Sequence, residues 1–231
     1  MKRFWKDVSV SEKGGVFAIL LDGRPVKTPA RASLAVPTEA LAEAIADEWR
    51  SVAETIDPRA MPLTGLANAA IDRVGPDKTG FAAGLSRYAE ADLTCYRAAG
   101  PAALVAVQEV AWDALLAWAR RRYDIDFAVT QGVIHVGQPA GTVERLSHAV
   151  EALDAFHLAG LSPLVTIGGS LVAALALVEQ AITADQAWDA VSIDERWQIE
   201  QWGADEEAER AIENRRRDFL AAARFADLLD Q

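Results

Sequence analysis

Hydrophobic and polar positions along the first forty residues follow the pattern of short β-strands. Residues 16–21 (VFAILL) are apolar throughout and lie between two turn signals, Gly14-Gly15 and Asp22-Gly23. An Asp-Gly pair is typical of a tight hairpin turn, because both central residues of such a turn need positive φ. This pattern predicts an antiparallel meander before residue 38.

The spacing of apolar residues becomes helical after Thr38. Leu41, Ile45, Trp49 and Val52 recur at intervals of four, four and three residues, which places them on one face of a helix. Thr38 can accept a hydrogen bond from the first helical turn. We therefore predict a helix over 38–54 that packs on the sheet, and a small N-terminal β-rich domain over residues 1–60.

The rest of the chain has mainly helical patterns, punctuated by prolines. Residues 125–136 are the exception, and they fit a short hairpin or an extended loop. The predicted fold class is α+β, with a larger all-α domain over residues 61–231. Its predicted helices cover residues 64–74, 79–91, 102–122, 141–159, 163–181, 184–202 and 205–229.

The predicted helix 184–202 has a carboxylate within an apolar face. Thr183 and Gln186 form a T-x-x-Q capping box at its start. An unpaired carboxylate among apolar side chains is costly, so Glu195 must be paired, protonated or directed into a cavity. Trp197 belongs to the opposite face. The apolar face that contains Glu195 comprises Trp188, Val191, Ile199 and Trp202.

The next predicted helix places a cation within its own apolar face. Gly203 suits the end of the preceding helix, and Asp205 can cap the new one. Arg215 interrupts the apolar series. Two arrangements remain open: a buried Glu195–Arg215 ion pair, or a Glu195 that faces a cleft beside Trp197 or Trp202. The apolar series around Arg215 consists of Ala208, Ile212, Phe219 and Ala222.

Composition narrows the class of protein. The 231 residues are 51% hydrophobic and carry a formal net charge of −11, which argues against a nucleic-acid-binding protein. Cys95 is the single cysteine, so the chain has no internal disulfide and fits a reducing compartment. His148 and His157 are nine residues apart and would point in opposite directions on a straight helix, so we expect no metal site.

Two segments bear on membranes and targeting. The N-terminal MKRFWKDVSV lacks the apolar region of a signal peptide. Residues 158–178 are uncharged, but Ser162-Pro163 interrupts them, so a buried core helix is favoured over a membrane span. We therefore expect no membrane insertion.

Signatures of catalysis are absent from the sequence. It contains no G-x-G-x-x-G, Walker loop, H-E-x-x-H or G-x-S-x-G motif. One enzyme hypothesis remains, in which Glu195 has a raised pKa and acts as general acid or base in a pocket with Asp92 or His157. A general interaction module is a third hypothesis, since aromatic residues flanked by charge are common anchors of protein interfaces.

Seven segments occur in the order found in one protein family. The chain resembles the ATP synthase assembly chaperones that bind the α subunit of the soluble catalytic head. The resemblance extends over nearly the whole chain and implies a small β-rich domain followed by a helical domain. The segments are RFWKDV (3–8), LDGRPVKTP (21–29), VPTEALAEAIADEW (36–49), MPLT (61–64), DLTCYRA (92–98), WDALLAWA (112–119) and DERWQIEQWGADEEA (194–208).

The resemblance implies a non-enzymatic, ATP-independent chaperone without a cofactor. Such a protein binds the free α subunit and shields its surface until a β subunit replaces it. Glu195 and Glu206 match positions where the family has functionally important acids, and Trp202 and Gly203 match the core of that motif. With Trp197, these residues form the predicted partner-binding site.

The resemblance also carries expectations about location and assembly. The absence of a targeting extension implies a bacterial, cytoplasmic homologue of relatives that act in the mitochondrial matrix. We expect the protein to be a monomer.

Overall fold

The computed structural model of the chain describes residues 2–203 and 205–231. An N-terminal antiparallel sheet is followed mostly by helices, which confirms the predicted α+β fold class. The strands are β1 (Val8–Lys13), β2 (Val16–Leu21), β3 (Arg24–Pro25), β4 (Ala35–Val36), β5 (Tyr96–Arg97) and β6 (Thr130–Gln131). The α-helices are α1 (Glu39–Ser51), α2 (Pro62–Ala69), α3 (Lys78–Ser86), α4 (Ala102–Tyr123), α5 (Ala140–Glu151), α6 (Ala155–Gly168), α7 (Leu171–Val178), α8 (Ala184–Val191), α9 (Ile193–Trp202) and α10 (Glu206–Asp227).

The chain divides into two compact units. The first unit contains the residues up to Lys78 together with Asp154–Gly160 and Arg224–Gln231. The second unit contains Thr79–Leu153 and Leu161–Ala223. These units are defined by contacts, and the domain boundary after residue 60 stays a prediction.

In the first unit, β2 is the central strand of the sheet. It pairs in antiparallel fashion with β1, β3 and β4. Asp22 and Gly23 connect β2 to β3 with φ values of 49° and 77°, so both turn residues adopt the positive φ that the Asp-Gly pair predicted. The predicted meander is confirmed for β1, β2 and β3, whereas β4 pairs with β2 instead of with β3.

Helix α1 packs its predicted face into the core of the first unit. Thr38 caps the helix, since its hydroxyl accepts a hydrogen bond from the Leu41 N–H at 3.2 Å. Leu41 and Ile45 are fully buried, and Trp49 and Val52 are nearly so. Each such side chain contributes about 1.5–3 kcal/mol by leaving water.

Glu48 of α1 holds the start of α2. Its carboxylate accepts hydrogen bonds from the Leu63 and Thr64 N–H groups, both at 2.8 Å, and from the Thr64 hydroxyl at 2.7 Å. Burial raises the pKa of Glu48, and these hydrogen bonds oppose the increase. A carboxylate at a helix N-terminus satisfies unpaired N–H groups, so the segments IADEW and MPLT meet here for a structural reason.

Helix α4 is the longest apolar helix of the second unit. It packs against α7, α8 and α9. Trp112 is 1% exposed, and its indole N–H donates to the Ala190 carbonyl at 2.7 Å. Leu115, Leu116 and Ala119 complete its buried side.

One helix among residues 2–203 and 205–231 is long and apolar enough to cross a membrane, judged by length and composition alone, and that helix is α4. A core helix of a soluble protein passes the same test, so a single such helix is weak support for a span. The uncharged segment 158–178 instead forms α6 and α7 with a break between them. The absence of membrane insertion stays a prediction.

Two predicted helix boundaries around Pro163 are wrong. Helix 141–159 ends earlier and α6 continues through Pro163, because Asp154 starts a new helix: its carboxylate accepts the N–H groups of Phe156 at 2.8 Å and His157 at 2.9 Å. Helix 163–181 is also split, because the Ser170 hydroxyl accepts the Ala173 N–H at 3.0 Å and begins α7. Local capping therefore decides where α6 and α7 begin, and Pro163 lies inside α6 instead of between two helices.

The predicted helix 184–202 is likewise two helices. The capping box of Thr183 and Gln186 starts α8 as predicted. Ser192 then interrupts the helix, with its hydroxyl bonded back to the Trp188 carbonyl at 2.7 Å. The single face predicted for Trp188 through Trp202 is therefore wrong, because its members belong to two helices.

The segment 125–136 is mainly extended. Its Thr130–Gln131 pairs in parallel with Tyr96–Arg97. A hairpin would require antiparallel pairing within the segment, so the extended loop is the correct alternative.

Candidate functional site

Gly203 lies at the end of α9, and Asp205 lies just before the start of α10. Gly203 ends α9 with φ of 75°, a conformation that favours glycine, and its N–H donates to the Ile199 carbonyl at 2.8 Å. Asp205 then caps α10, since its carboxylate accepts the Ala208 N–H at 2.8 Å. The sequence predicted that Gly203 ends one helix and that Asp205 caps the next, and both predictions are confirmed.

A shallow groove, the Trp202 groove, lies between α9 and α10. Its volume is about 380 Å³. Trp202 exposes 79% of its surface beside this groove, which is far more than a tryptophan in a core. The groove is lined by Glu195, Gln198, Ile199, Trp202, Gly203, Asp205, Ala208, Ala211, Ile212 and Arg215.

Glu195 and Arg215 form an ion pair within the Trp202 groove. The pair joins Arg215 Nη1 to Glu195 Oε1, and Arg215 Nη2 also donates to the Ile167 carbonyl at 3.0 Å. The two side chains are 41% and 40% exposed, so the pair is not buried. Glu195 is therefore paired with Arg215, as the first alternative predicted, but the pair is not buried, and Glu195 faces a cleft beside Trp202, as the second alternative predicted.

A larger groove, the Trp118 groove, lies on the other side of α9. It has a volume of about 710 Å³ and is walled by α4, α8 and α9. Asp189 and Arg196 form an ion pair on its edge. The groove is lined by Val107, Ala111, Ala114, Leu115, Trp118, Arg121, Ala181, Ile182, Gln186, Asp189, Ala190, Ile193, Arg196, Trp197 and Glu200.

The structure divides the predicted partner-binding residues between these surfaces. Glu195, Trp202 and Gly203 line the Trp202 groove. Trp197 lines the Trp118 groove. Glu206 is exposed in the first turn of α10 and lines neither groove. Helix α9 therefore has functional candidates on two sides, in agreement with the two apolar faces of its sequence.

The α4 wall of the Trp118 groove is not among the predicted partner-binding residues. A signal was present, because Val107, Val110, Ala111, Ala114 and Trp118 share one helical face. Val107 and Val110 are 46% and 79% exposed, whereas the neighbouring side of α4 is buried. A helix with apolar residues on two sides can pack against the core with one side and bind a partner with the other.

Asp92 has a structural environment. Its side chain is fully buried and accepts hydrogen bonds from the Thr94 N–H at 3.0 Å, the Thr94 hydroxyl at 2.7 Å, the Ser170 hydroxyl at 2.8 Å and the Val172 N–H at 2.9 Å. Burial raises the pKa of Asp92, and the four hydrogen bonds oppose the increase. The carboxylate thereby ties the segment DLTCYRA to the start of α7.

Cys95 and the candidate metal ligands show no reactive arrangement. Burial, followed by the nearby Asp92 charge, raises the pKa of the Cys95 thiol to about 12, as expected for a structural thiol. Within the part of the chain that the structure describes, no three histidine, cysteine, aspartate or glutamate residues are grouped to hold a metal ion.

The geometry does not favour acid–base chemistry at Glu195. A general acid or base needs a pocket in which a substrate atom meets it away from water. Glu195 instead lies in an open groove with its charge paired to Arg215. The carboxylate of Asp92 is engaged in four core hydrogen bonds.

Comparison with known families and structures gives consistent matches. The family model described as ATP12 chaperone protein matches residues 2–120, just over half of the chain. That match ends before α8, α9 and α10 begin. Similarity over those helices comes from whole-chain comparisons.

Three relatives illustrate the similarity. The crystal structure of Atp12 from Paracoccus denitrificans is 44% identical, with 99% of this chain and 98% of that chain covered and a TM-score of 0.93. The Atu1473 protein from Agrobacterium tumefaciens is 38% identical, with 99% and 86% covered and a TM-score of 0.93. The mitochondrial protein atp12 of Schizosaccharomyces pombe is 24% identical over 219 residues, which cover 90% of this chain and 75% of that protein.

Proposed function

The chain belongs to the ATP12 chaperone family, and we propose that it binds the free α subunit of ATP synthase during assembly. The family match confirms the resemblance to the ATP synthase assembly chaperones. The α subunit as the partner is the specific part of the proposal.

The proposed mechanism is competitive shielding. A free α subunit exposes apolar surface that would otherwise contact a β subunit, and such surface aggregates. A chaperone that covers this surface and carries a net charge of −11 keeps the complex in solution. The β subunit then replaces the chaperone, which requires the chaperone to bind more weakly than β does.

One observation carries the proposal at the level of the site: a large aromatic side chain is exposed beside a charged, partly apolar groove. Trp202 is 79% exposed next to the Glu195–Arg215 pair. Tryptophan and arginine are the residue types most enriched among residues that dominate binding energy. We infer that Glu195, Trp202 and Gly203, with Glu206 and Trp197 nearby in the sequence, contact the partner.

The proposed activity needs no nucleotide, metal or cofactor from the chaperone. Binding and release follow from the relative affinities of the chaperone and the β subunit for one surface. We also infer that the protein acts as a monomer, without nucleic acid or membrane insertion, in a bacterial cytoplasm. The Schizosaccharomyces pombe relative is a mitochondrial protein, in agreement with a matrix location for eukaryotic relatives.

An aggregation assay tests this proposal. Denatured ATP synthase α subunit is diluted into buffer with and without the protein, light scattering is followed, and the soluble fraction is separated by size. We expect suppressed scattering and a discrete complex that added β subunit dissociates. An unrelated aggregating protein serves as the control. Equal protection of that control would indicate a general interaction module, and no protection of α would refute the proposal.

A further inference from the structure

We propose that the Trp118 groove binds an amphipathic α-helix of the client polypeptide, about four turns long, with an acidic residue that meets Arg121 and a basic residue that meets Glu200. The identity of the client rests on the proposed function. The shape and chemistry of the occupant rest on the groove itself.

The α4 wall has the length and spacing of a surface that packs against another helix. Val107, Ala111, Ala114, Trp118 and Arg121 follow one another at intervals of four, three, four and three residues along the groove. From Val107 to Arg121 this wall extends about 21 Å at 1.5 Å per residue. Residues at these intervals form the kind of stripe that packs against another helix.

The apolar part of the groove is lined largely by small side chains. Alanines line the groove on α4 (Ala111 and Ala114), in the loop before α8 (Ala181) and on α8 (Ala190). Small side chains let a helix backbone approach closely. The larger side chains of Trp118 and Trp197 supply apolar contact area to either side of this surface.

The groove is already formed before any partner binds. Three hydrogen bonds fix α4 beside α8, α9 and the end of α7. Gln108 Nε2 donates to Asp194 Oδ1 at 2.5 Å, Trp112 Nε1 donates to the Ala190 carbonyl at 2.7 Å, and the Tyr123 hydroxyl donates to Glu179 Oε1 at 2.5 Å. A preformed surface loses little conformational freedom on binding, so more of the contact energy is available as affinity.

Those hydrogen bonds also place the charges. Tyr123 is bonded to Glu179, so Arg121 lies at the end of the groove formed by Ala181 and Ile182. Gln108 is bonded to Asp194, so α9, which carries Glu200, starts beside the Val107 end. The groove therefore has a cation on its α4 wall at one end and an anion on its α9 wall.

The charges of Arg121 and Glu200 are available to a partner. Among residues 2–203 and 205–231, neither Arg121 nor Glu200 has an ion-pair partner, whereas Asp189 and Arg196 on the edge are paired with each other. A complementary occupant has an acidic residue near Arg121 and a basic residue near Glu200. Charges of this kind fix the direction and register of a bound helix.

A small molecule is a poorer occupant. Drug-sized ligands are usually enclosed over most of their surface. Val107, Ala114, Arg121 and Ala181 are all exposed along this groove, so a small ligand would remain in contact with water. An extended, open surface suits a helix that covers it from end to end.

Fluorescence anisotropy with a labelled peptide tests the inference. The peptide has roughly 18 residues, leucines at positions i, i+3, i+4, i+7 and i+11, glutamate near one end and lysine near the other. A second peptide has the same composition in a scrambled order that breaks the stripe. The intact full-length chain is titrated into each peptide, and circular dichroism of every variant verifies that it is folded.

Two alanine substitutions on α4 form the matched pair. Ala114→Glu places a carboxylate within the groove, and Ala106→Glu makes the same change at an exposed α4 position that does not line it. We expect A114E to bind the patterned peptide at least about tenfold more weakly than the unchanged protein does. A106E should bind it with an affinity within about twofold of that of the unchanged protein. Arg121→Glu should weaken binding about threefold, with less dependence on salt.

The outcomes separate the inference from the proposed function. Equal binding of both peptides, equal loss in both alanine variants, or no peptide binding would overturn the inference. Loss of α-subunit binding in A114E would identify the client helix as part of that subunit. Equal binding of α to the unchanged protein and to A114E would overturn the inference and leave the proposed function standing. If the patterned peptide binds and the α subunit does not, the inference stands and the proposed function is overturned.

Discussion

Asp92 and Glu195 are both carboxylates of the second unit, and both lie in segments that resemble the chaperone family. Their environments differ. Asp92 is fully buried and accepts four hydrogen bonds from three residues. Glu195 is 41% exposed, with one oxygen bonded to Arg215. Its other oxygen, Oε2, is shielded from water and has no hydrogen-bond partner among the described residues. The Asp92 carboxylate is fully satisfied by the core around it, whereas the Glu195 carboxylate is only partly satisfied, so the fold depends more on Asp92 than on Glu195.

Substitution of Asp92 should have the largest effect on stability. Asp92→Ala leaves the Val172 and Thr94 N–H groups buried without an acceptor, so we expect a loss of about 3–5 kcal/mol in the free energy of unfolding. Asp92→Asn retains the shape and one acceptor oxygen and should lose less. Urea denaturation measures both. A loss below about 1 kcal/mol in Asp92→Ala would contradict the structural role.

The Glu195–Arg215 pair should contribute much less. Both side chains are about 40% exposed, so water screens their attraction, and we expect a coupling free energy of about 0.5–1 kcal/mol. Arg215→Met should lose about 1–2 kcal/mol, because it also removes the hydrogen bond to the Ile167 carbonyl. Glu195→Gln should lose less than Arg215→Met.

A double-mutant cycle with urea denaturation measures this coupling. If Glu195→Gln alone unfolds the chain and the added Arg215→Met restores it, Glu195 is a structural residue like Asp92. The contrast between the two carboxylates would then disappear.

A third carboxylate, Asp154 in the first unit, is more exposed than Glu195 and gives stability a dependence on pH. Asp154 Oδ2 lies 3.0 Å from His157 Nδ1, and this hydrogen bond raises the pKa of His157, with a smaller contribution from Asp230. The same hydrogen bond lowers the pKa of Asp154 to about 2. Because the folded-state pKa of His157 is raised, its stabilisation is fully present below about pH 6.5 and is lost as the pH rises through the folded-state pKa.

The measured effect of His157 should be small. Asp154 is 60% exposed, so we expect no more than about 1 kcal/mol between mildly acidic and mildly alkaline pH. His157→Gln should remove this dependence, whereas His148→Gln, at an exposed position of α5, should retain it. Denaturation across pH 5.5–8.5 compares the variants. An unchanged pH profile in His157→Gln would refute the assignment.

Sequence reasoning worked where a pattern and its chemistry are local. The Asp22-Gly23 turn, the α1 face and the Thr183–Gln186 capping box each depend on a few neighbouring residues, and all are confirmed. It failed at Ser192, because neither proline nor glycine marks the break there. The serine hydroxyl is bonded back to the Trp188 carbonyl, an arrangement that serine can adopt or avoid in any helix.

The site was predictable only in part, for a related reason. The motif around Trp202 and Gly203 is a continuous segment, so it could be recognised from the sequence. The Trp118 groove combines α4, α8 and α9, which only packing brings together. Periodicity shows that α4 has two apolar faces, but tertiary packing decides which face remains uncovered.

The smallest effect on stability should come from Trp202, although its effect on binding should be large. Trp202 is 79% exposed, so Trp202→Ala should change the free energy of unfolding by less than about 0.5 kcal/mol. If Trp202 anchors the α subunit, the same change should weaken α-subunit binding at least tenfold, about 1.4 kcal/mol or more. Phe4→Ala is the matched control, because Phe4 is an aromatic residue of the first unit that is 70% exposed. If both variants bind the α subunit equally well, the exposure of Trp202 does not mark the partner site. The contribution of Glu195 to α-subunit binding would then have to be tested without reference to the Trp202 groove.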